Sequence, residues 1–262
     1  MIHPSSIISS KAKIDSSVNI GPFCIIEDNV KLGKKNRLIS NVHITGNTTI
    51  GDNNIFYPFS SIGSAPQDLK FNNEKSYLII GNNNAFRENV TVNPGTKGGG
   101  LKTIIENNCL FMVGSHVAHD CIIKSNVILA NNATLAGHVE IFENAILGGN
   151  SGVHQFVKIG KFAMIGGMSG VEKNIIPYGL YIGIRADLKG MNIIGLKRKG
   201  IKSNQIKRII KCVKLIFDSS NSIEINVNNL SDTFTKIKEI KEIIKFIIEI
   251  TNKRGLCRYL ND

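Results

Sequence analysis

The 262-residue chain has no tryptophan, and aromatic residues make up only 6% of it, so its interior must be filled mainly by aliphatic side chains. Its 5 cysteines (Cys24, Cys109, Cys121, Cys212, Cys257) are odd in number, far apart and never in a C-x-x-C pair. Neither a disulfide framework nor a zinc knuckle is indicated, and they read as small apolar residues in a reducing compartment. No run approaches the roughly 18 uninterrupted apolar residues of a spanning helix. Met1 to Ser6 lacks the basic segment and apolar core of an export signal. A cytoplasmic protein without stable membrane insertion is expected. With 42% apolar residues and a mean hydropathy near zero, a disordered or collagen-like chain is excluded, and the length suits one large domain or two smaller ones.

Acidic residues are also in deficit: 20 against 32 basic, a net charge of +12. Residues 197 to 262 hold 15 Lys/Arg against 7 Asp/Glu (+8), and the first 196 hold 17 against 13 (+4), so the excess is C-terminal. Two readings stand: a docking surface for an acidic partner, or the consequence of a chain rich in Ile, Asn and Lys.

What the sequence does contain is a period. Aliphatic or aromatic residues recur at every sixth position from Ile2 through Ile20, Leu38 and Phe56 to Ile62, eleven in register. The period returns at Ile80, Phe86 and Val92, breaks, and resumes from Ile105 to Val171. Four residues after many of these anchors sits a small or β-branched residue, such as Val18, Cys24, Cys121, Ala133 or Ala163. Six is neither the 3.6 of a helix nor plain strand alternation, but short strands joined by tight turns return one side chain to the interior at that interval. Gly, Asn and Asp between anchors supply the turns. The pattern predicts a β-solenoid whose coils bury their anchors against the coils above and below.

The period stops near Pro177. Ile206, Ile209, Ile210, Val213 and Phe217 form an amphipathic stripe with Ser203 as N-cap. Phe234, Ile237, Ile240, Ile244, Ile247 and Ile248 mark a second helix, capped near Ser231 and ended by Gly255. The boundary falls between 178 and 200; we divide the chain into a solenoid over 1–190 and a helical domain over 191–262.

Two interruptions break the solenoid, and such loops often serve a binding face. The first, Ser64 to Phe71, carries Gln67, Asp68 and Lys70. The second, Pro94 to Gly100, is glycine-rich and lacks phosphate-cradle spacing; it reads as a mobile flap. Four of the six histidines (His116, His119, His138, His154) fall within 39 positions, off the interior register. With about 18 residues per coil, His119, Gly137 and Gln155 form one column, and His138 and His154 lie one place to either side of it. This clustering with Asp120 points to a functional stripe. Zinc on three histidines is a competing reading, as is a Cys121 nucleophile, although Cys121 sits in a small interior slot.

Gln67-Asp68-Leu69-Lys70, Ala118-His119-Asp120-Cys121, Leu135-Ala136-Gly137-His138-Val139, Val153-His154-Gln155-Phe156 and Asn192 to Gly200 together resemble the bacterial UDP-N-acetylglucosamine O-acyltransferase family of hexapeptide-repeat enzymes. The resemblance runs from Ile2 through the tail. It implies a mainly β fold, a left-handed parallel β-helix with a C-terminal α-helical domain, and transfer of an (R)-3-hydroxyacyl chain from acyl carrier protein to the glucosamine 3-hydroxyl of UDP-N-acetylglucosamine, the first step of lipid A synthesis. It implies a homotrimer with the site between subunits, acyl carrier protein as partner, and neither metal, cofactor nor nucleic acid.

By the same resemblance His119 is the general base, Asp120 orients it and Gly137 supplies an oxyanion donor. Gln67, Asp68 and Lys70 hold the sugar and acyl groups; His116, His138, His154, Gln155, Asn192 and Arg198 line the nucleotide end. Gly167, with Met164, stands where acyl length is set, and a bare glycine there predicts a long chain. Two departures are Ile194, where the family often has Glu, and Lys199, where it often has Arg; both predict altered nucleotide contacts. A paralogous enzyme acting on acetyl-CoA or on an already acylated sugar, and a non-catalytic solenoid scaffold, are the rival readings.

Overall fold

A computed structural model describes residues 1–250 and 254–260; residues 251–253 and 261–262, within the expected helical domain, lie outside the described residues. Two-residue strands recur at six-residue intervals and pair in parallel with the strand one coil onward, Ile7 with Ile25 and Ile128 with Ile146, so one coil takes 18 residues. The strands stack into three faces of a left-handed parallel β-helix. The first face runs from Ile7–Ile8 to Gly170–Val171 in nine strands. The second runs from Lys13–Ile14 to Lys158–Ile159 in eight, and the third from Asn19–Ile20 to Asp187–Met191 in ten.

A two-residue strand turns one side chain out and the next one in, which is why the sixth-position anchors form the core. From Ile20 onward the anchors are buried, whereas Ile2, with no coil beneath it, is 50% exposed. Phe56, Phe86 and Phe111 occupy one interior column with ring centroids 4.9 and 4.7 Å apart. Asn36, Asn54 and Asn84 fill the small interior slot in successive coils, and each side-chain oxygen accepts the backbone N–H of the residue above, at 2.8, 2.9 and 2.8 Å. Buried amides therefore cost little, because each is hydrogen-bonded.

Corners are turned by residues at positive φ. Asn126, Asn132, Asn144 and Asn150 do so in successive coils, as expected of the residue whose short polar side chain best tolerates the left-handed region. At the corner between the first and second faces, Asp120, His138 and Phe156 take this conformation one above another. Both insertions leave from this same corner. Ile50 pairs with Ile80 and Ile80 with Ile105, so the chain segments 63–76 and 93–101 emerge there, in the coils just below His119.

The third face ends in an antiparallel hairpin of Gly179–Ile182 and Asp187–Met191. Among the described residues five α-helices follow: α1 (Ile193–Arg198), α2 (Ser203–Ile216), α3 (Ile223–Asn228), α4 (Asp232–Thr235) and α5 (Lys238–Glu249). The apolar stripe of α2 is buried at Ile206, Ile209, Val213 and Ile216. Ser203 is the first helical residue and not the cap, which is Lys202 with no side-chain cap bond. The expected second helix is divided, because Ile237 has extended backbone between α4 and α5. Beyond α5, Leu256 and Tyr259 bridge back to Asn174 and Leu188, so the tail closes onto the last coils of the solenoid.

Candidate active site

The corner between the first and second faces gathers Asp68, His119, Asp120, Gly137 and His138. His119 is 5% exposed; its Nδ1–H donates to Asp120 Oδ2 at 2.9 Å, which leaves the Nε2 lone pair aimed at the first insertion. There Asp68 Oδ2 stands 3.9 Å from Nε2, too far for a direct hydrogen bond. One coil up, Gly137 has no side chain to obstruct the ring: a Cβ built on it would lie 2.3 Å from His119 Cε1. The His138 N–H donates to the His119 carbonyl at 3.0 Å, and the His138 ring meets that of His119 edge-on, with centroids 5.0 Å apart. Phe156, in the next coil, stacks on His138 at 4.3 Å.

Burial pushes the imidazole of His138 below its ordinary value, against the opposing pull of Asp120. His116 points outward from the first face, accepts or donates at 2.7 Å to Thr91 Oγ1, and is also pushed down by burial and by neighbouring His119. Gln67 and Lys70 are exposed on the insertion that carries Asp68. His154 and Gln155 are exposed two coils above His119, at the same corner. A trough of about 440 Å³ on the first face joins His116 to His154 across Thr134, Gly152 and Gly170.

Other expected site residues lie elsewhere in the single chain. Asn192 caps α1 at the corner between the second and third faces, where its Nδ2 donates to the Phe162 carbonyl and its Oδ1 accepts Gly195 N–H, both at 2.9 Å, and Arg198 is the exposed last residue of that helix. Gly167 is exposed at the corner between the third and first faces, and Met164 points outward from the third face. Ile194 is exposed. Lys199 does not present itself to solvent as a nucleotide contact: its Nζ donates to Tyr178 OH at 2.8 Å and to the buried Glu239 at 3.2 Å. Tyr178 OH in turn donates to Glu242, which also pairs with Lys161 at 2.7 Å. The lysine is drawn in because the buried Glu239 carboxylate at the helix–solenoid junction requires a cation.

The second insertion is not a free flap. Thr96 N–H and Oγ1–H both donate to the Asp120 carboxylate, the hydroxyl at 2.6 Å, and Lys97 N–H donates to Glu74 at 2.9 Å. The sequence reading missed Thr96; the glycines on both sides of it were the available signal. Among the described residues, His119, Asp120 and His138 are the group able to surround a cation, with potential ligand atoms within 4.8 Å. Asp120, however, already accepts from Thr96 N, Thr96 Oγ1 and His119 Nδ1, so its oxygens are directed at protein donors. Cys121 is fully buried, its thiol pushed up to about 12 by that burial, and it packs inside the solenoid.

Two family models match: the description "Udp N-acetylglucosamine O-acyltransferase; Domain 2" over residues 174–257, and "Bacterial transferase hexapeptide (six repeats)" over residues 102–137. The acyl-[acyl-carrier-protein]–UDP-N-acetylglucosamine O-acyltransferase of Thermodesulfovibrio yellowstonii is 46% identical over 257 residues, covering 98% of this chain and 99% of that protein. Its counterpart in Rickettsia canadensis is 46% identical over 258 residues, covering 98% and 97%. The crystal structure of UDP-N-acetylglucosamine O-acyltransferase from Moraxella catarrhalis superposes with a TM-score of 0.93 at 40% identity, covering 98% of this chain and 99% of that one. With its hexapeptide solenoid, its histidine-bearing corner and this likeness along nearly its whole length, the chain belongs to the acyl-[acyl-carrier-protein]–UDP-N-acetylglucosamine O-acyltransferase family.

Proposed function

We propose that this enzyme transfers an (R)-3-hydroxyacyl chain from the thioester of acyl carrier protein to the 3-hydroxyl of the glucosamine ring of UDP-N-acetylglucosamine, the first step of lipid A synthesis, in the cytoplasm. The observation that carries the reading is the His119–Asp120 pair, with Nδ1–H held at 2.9 Å and the opposite nitrogen left free at the cleft. His119 Nε2 takes the hydroxyl proton as the oxygen attacks the thioester carbonyl, and the imidazolium that forms is stabilised by Asp120. The tetrahedral oxyanion is met by the N–H of Gly137. As the intermediate collapses, the C–S bond breaks and His119 returns the proton to the departing thiolate. General-base assistance of this kind contributes on the order of a hundred- to ten-thousandfold. Because the acyl donor is already an activated thioester with a thiolate leaving group and the Asp120 oxygens are committed to protein donors, the reaction is assigned neither metal nor cofactor.

The partition of the expected residues among three corners supports a trimer. Outward side chains on the third face form an apolar ladder through Ile55, Leu110, Ile128, Ile146, Met164 and Leu180, half-buried in the single chain. The first face opposes it with small residues, Thr134, Gly152 and Gly170. Third face against a neighbour's first face is a head-to-tail contact that closes into a ring of three. It brings the His119 corner of one subunit beside the Asn192 and Arg198 corner of the next. Gln67, Asp68 and Lys70 then hold the sugar and acyl groups, and His116, His138, His154 and Gln155 complete the nucleotide end. Gly167, bare and exposed, leaves the acyl groove open to a long chain. Exposed Lys207, Lys211 and Lys214 on α2 provide a basic surface for the acidic carrier protein.

The test is to incubate the protein with UDP-N-acetylglucosamine and carrier-protein thioesters of graded length and weigh the products. An ester at the 3-hydroxyl, formed from a long 3-hydroxyacyl donor and lost in His119→Ala, is expected; equal turnover by His119→Ala overturns the general-base assignment.

A further inference from the structure

Asp120 stands at a left-handed corner, φ 59°, and the group of its own coil that meets its carboxylate is the His119 ring it is meant to orient. The second insertion holds the carboxylate from outside that coil. Thr96 N–H reaches Asp120 Oδ1 at 2.9 Å and Oδ2 at 3.1 Å, and Thr96 Oγ1 donates to Oδ2 at 2.6 Å. From the far end of the same excursion, Thr103 Oγ1 accepts the Asp120 N–H at 2.8 Å. The loop is built to approach closely: a Cβ on Gly95 would lie 2.7 Å from Asp120 Oδ1, and one on Gly99 would lie 2.0 Å from Asp120 Cγ. Thr96 itself is 4% exposed, opens the 3-10 turn Lys97–Gly99, and accepts at its carbonyl from Gly99 and Leu101 N–H at 3.1 and 2.9 Å.

Oδ2 is thus shared by two residues, Thr96 through its N–H and Oγ1 and His119 through Nδ1. A carboxylate oxygen can only accept, so where Thr96 holds it, His119 must carry its proton on Nδ1 and leave Nε2 as the basic nitrogen. We infer that Thr96 is a positioning residue for the acyl transfer, acting through the shared Asp120 oxygen to set the tautomer and the aim of the His119 ring. The inference rests on the general-base reading above.

Thr96→Val keeps the shape and removes the hydroxyl. Its kcat is expected to fall about tenfold, the size of one lost charge-assisted hydrogen bond, with the KM for UDP-N-acetylglucosamine unchanged. Thr96→Ser should restore the rate, and Thr96→Val added to His119→Ala should cost nothing further, since the two act on one element. Independently of any variant, nitrogen-15 NMR of histidine-labelled wild-type protein should show His119 protonated at Nδ1. If His119→Ala abolishes turnover while Thr96→Val keeps the wild-type kcat, the inference is overturned and the general base stands; a ring proton found on Nε2 overturns the inference and, with it, the assignment of Nε2 as the basic nitrogen. If His119→Ala turns over normally, the underlying reading fails instead.

Discussion

The imidazole of His119 lies over the bare α-carbon of Gly137, one coil above it, closely enough that a single methyl group there would sit 2.3 Å from Cε1 and 2.5 Å from Nε2. Gly137 is therefore needed for the space it leaves, whatever its N–H contributes to the reaction. The φ of Gly137 is not in the left-handed region, so an alanine costs the backbone little and acts through the ring. Gly137→Ala should fold with a melting temperature near that of the wild type while kcat falls about a hundredfold, the usual effect of displacing a catalytic group by an ångström. Steady-state kinetics beside a thermal melt measures both.

Cys121 adjoins the His119–Asp120 pair in sequence, yet its side chain faces the solenoid interior. Burial pushes the thiol up to about 12, and Sγ donates to the Ala136 carbonyl at 3.3 Å. Thiolate is the reactive form. Iodoacetamide at pH 8 should leave both Cys121 and the activity untouched in the folded protein; mass spectrometry of Cys121-containing peptides checks this.

His116 and His138 are both pushed by burial below the ordinary imidazole value of about 6.5. In the folded protein these rings bind fewer protons than in the unfolded chain, so acidification favours unfolding. Their contribution to stability is complete above about pH 6.5 and is lost as pH falls through the lowered folded-state values. Melting temperature followed from pH 7.5 to 5 should decline, and the decline should be shallower in a His116→Gln, His138→Gln double variant.

The third-face ladder gives a direct test of assembly. Ile146 points outward between Ile128 and Met164, so Ile146→Asp leaves the solenoid core intact and, in the proposed trimer, places a carboxylate in the subunit contact. Light scattering should report the 28.7 kDa monomer with native β-sheet circular dichroism. Acyl transfer should fall to background, because in the proposed trimer the site pairs His119 of one subunit with Asn192 of the next.

Much of the solenoid was readable because its rule is short-range: one inward side chain every six residues, repeated from Ile20 to Val171, leaves few ways to wind the chain. The same arithmetic aligned His119 with Gly137 and placed His138 beside them. It did not show that Ile237 divides the second helix, since the apolar stripe continues across the break while the backbone there turns extended. Nor could it show that Lys199 turns inward, because its partners Tyr178 and Glu239 are far away in sequence.

What the sequence determined by itself was therefore the coil, its corners and the column of polar residues along one edge, all consequences of a local period. The tertiary structure decided that Thr96 closes over Asp120, and that Asn192 and Gly167 stand at two other corners of the prism. Those relationships depend on where irregular segments fold back and on close approaches between residues far apart in the chain, which no periodicity encodes.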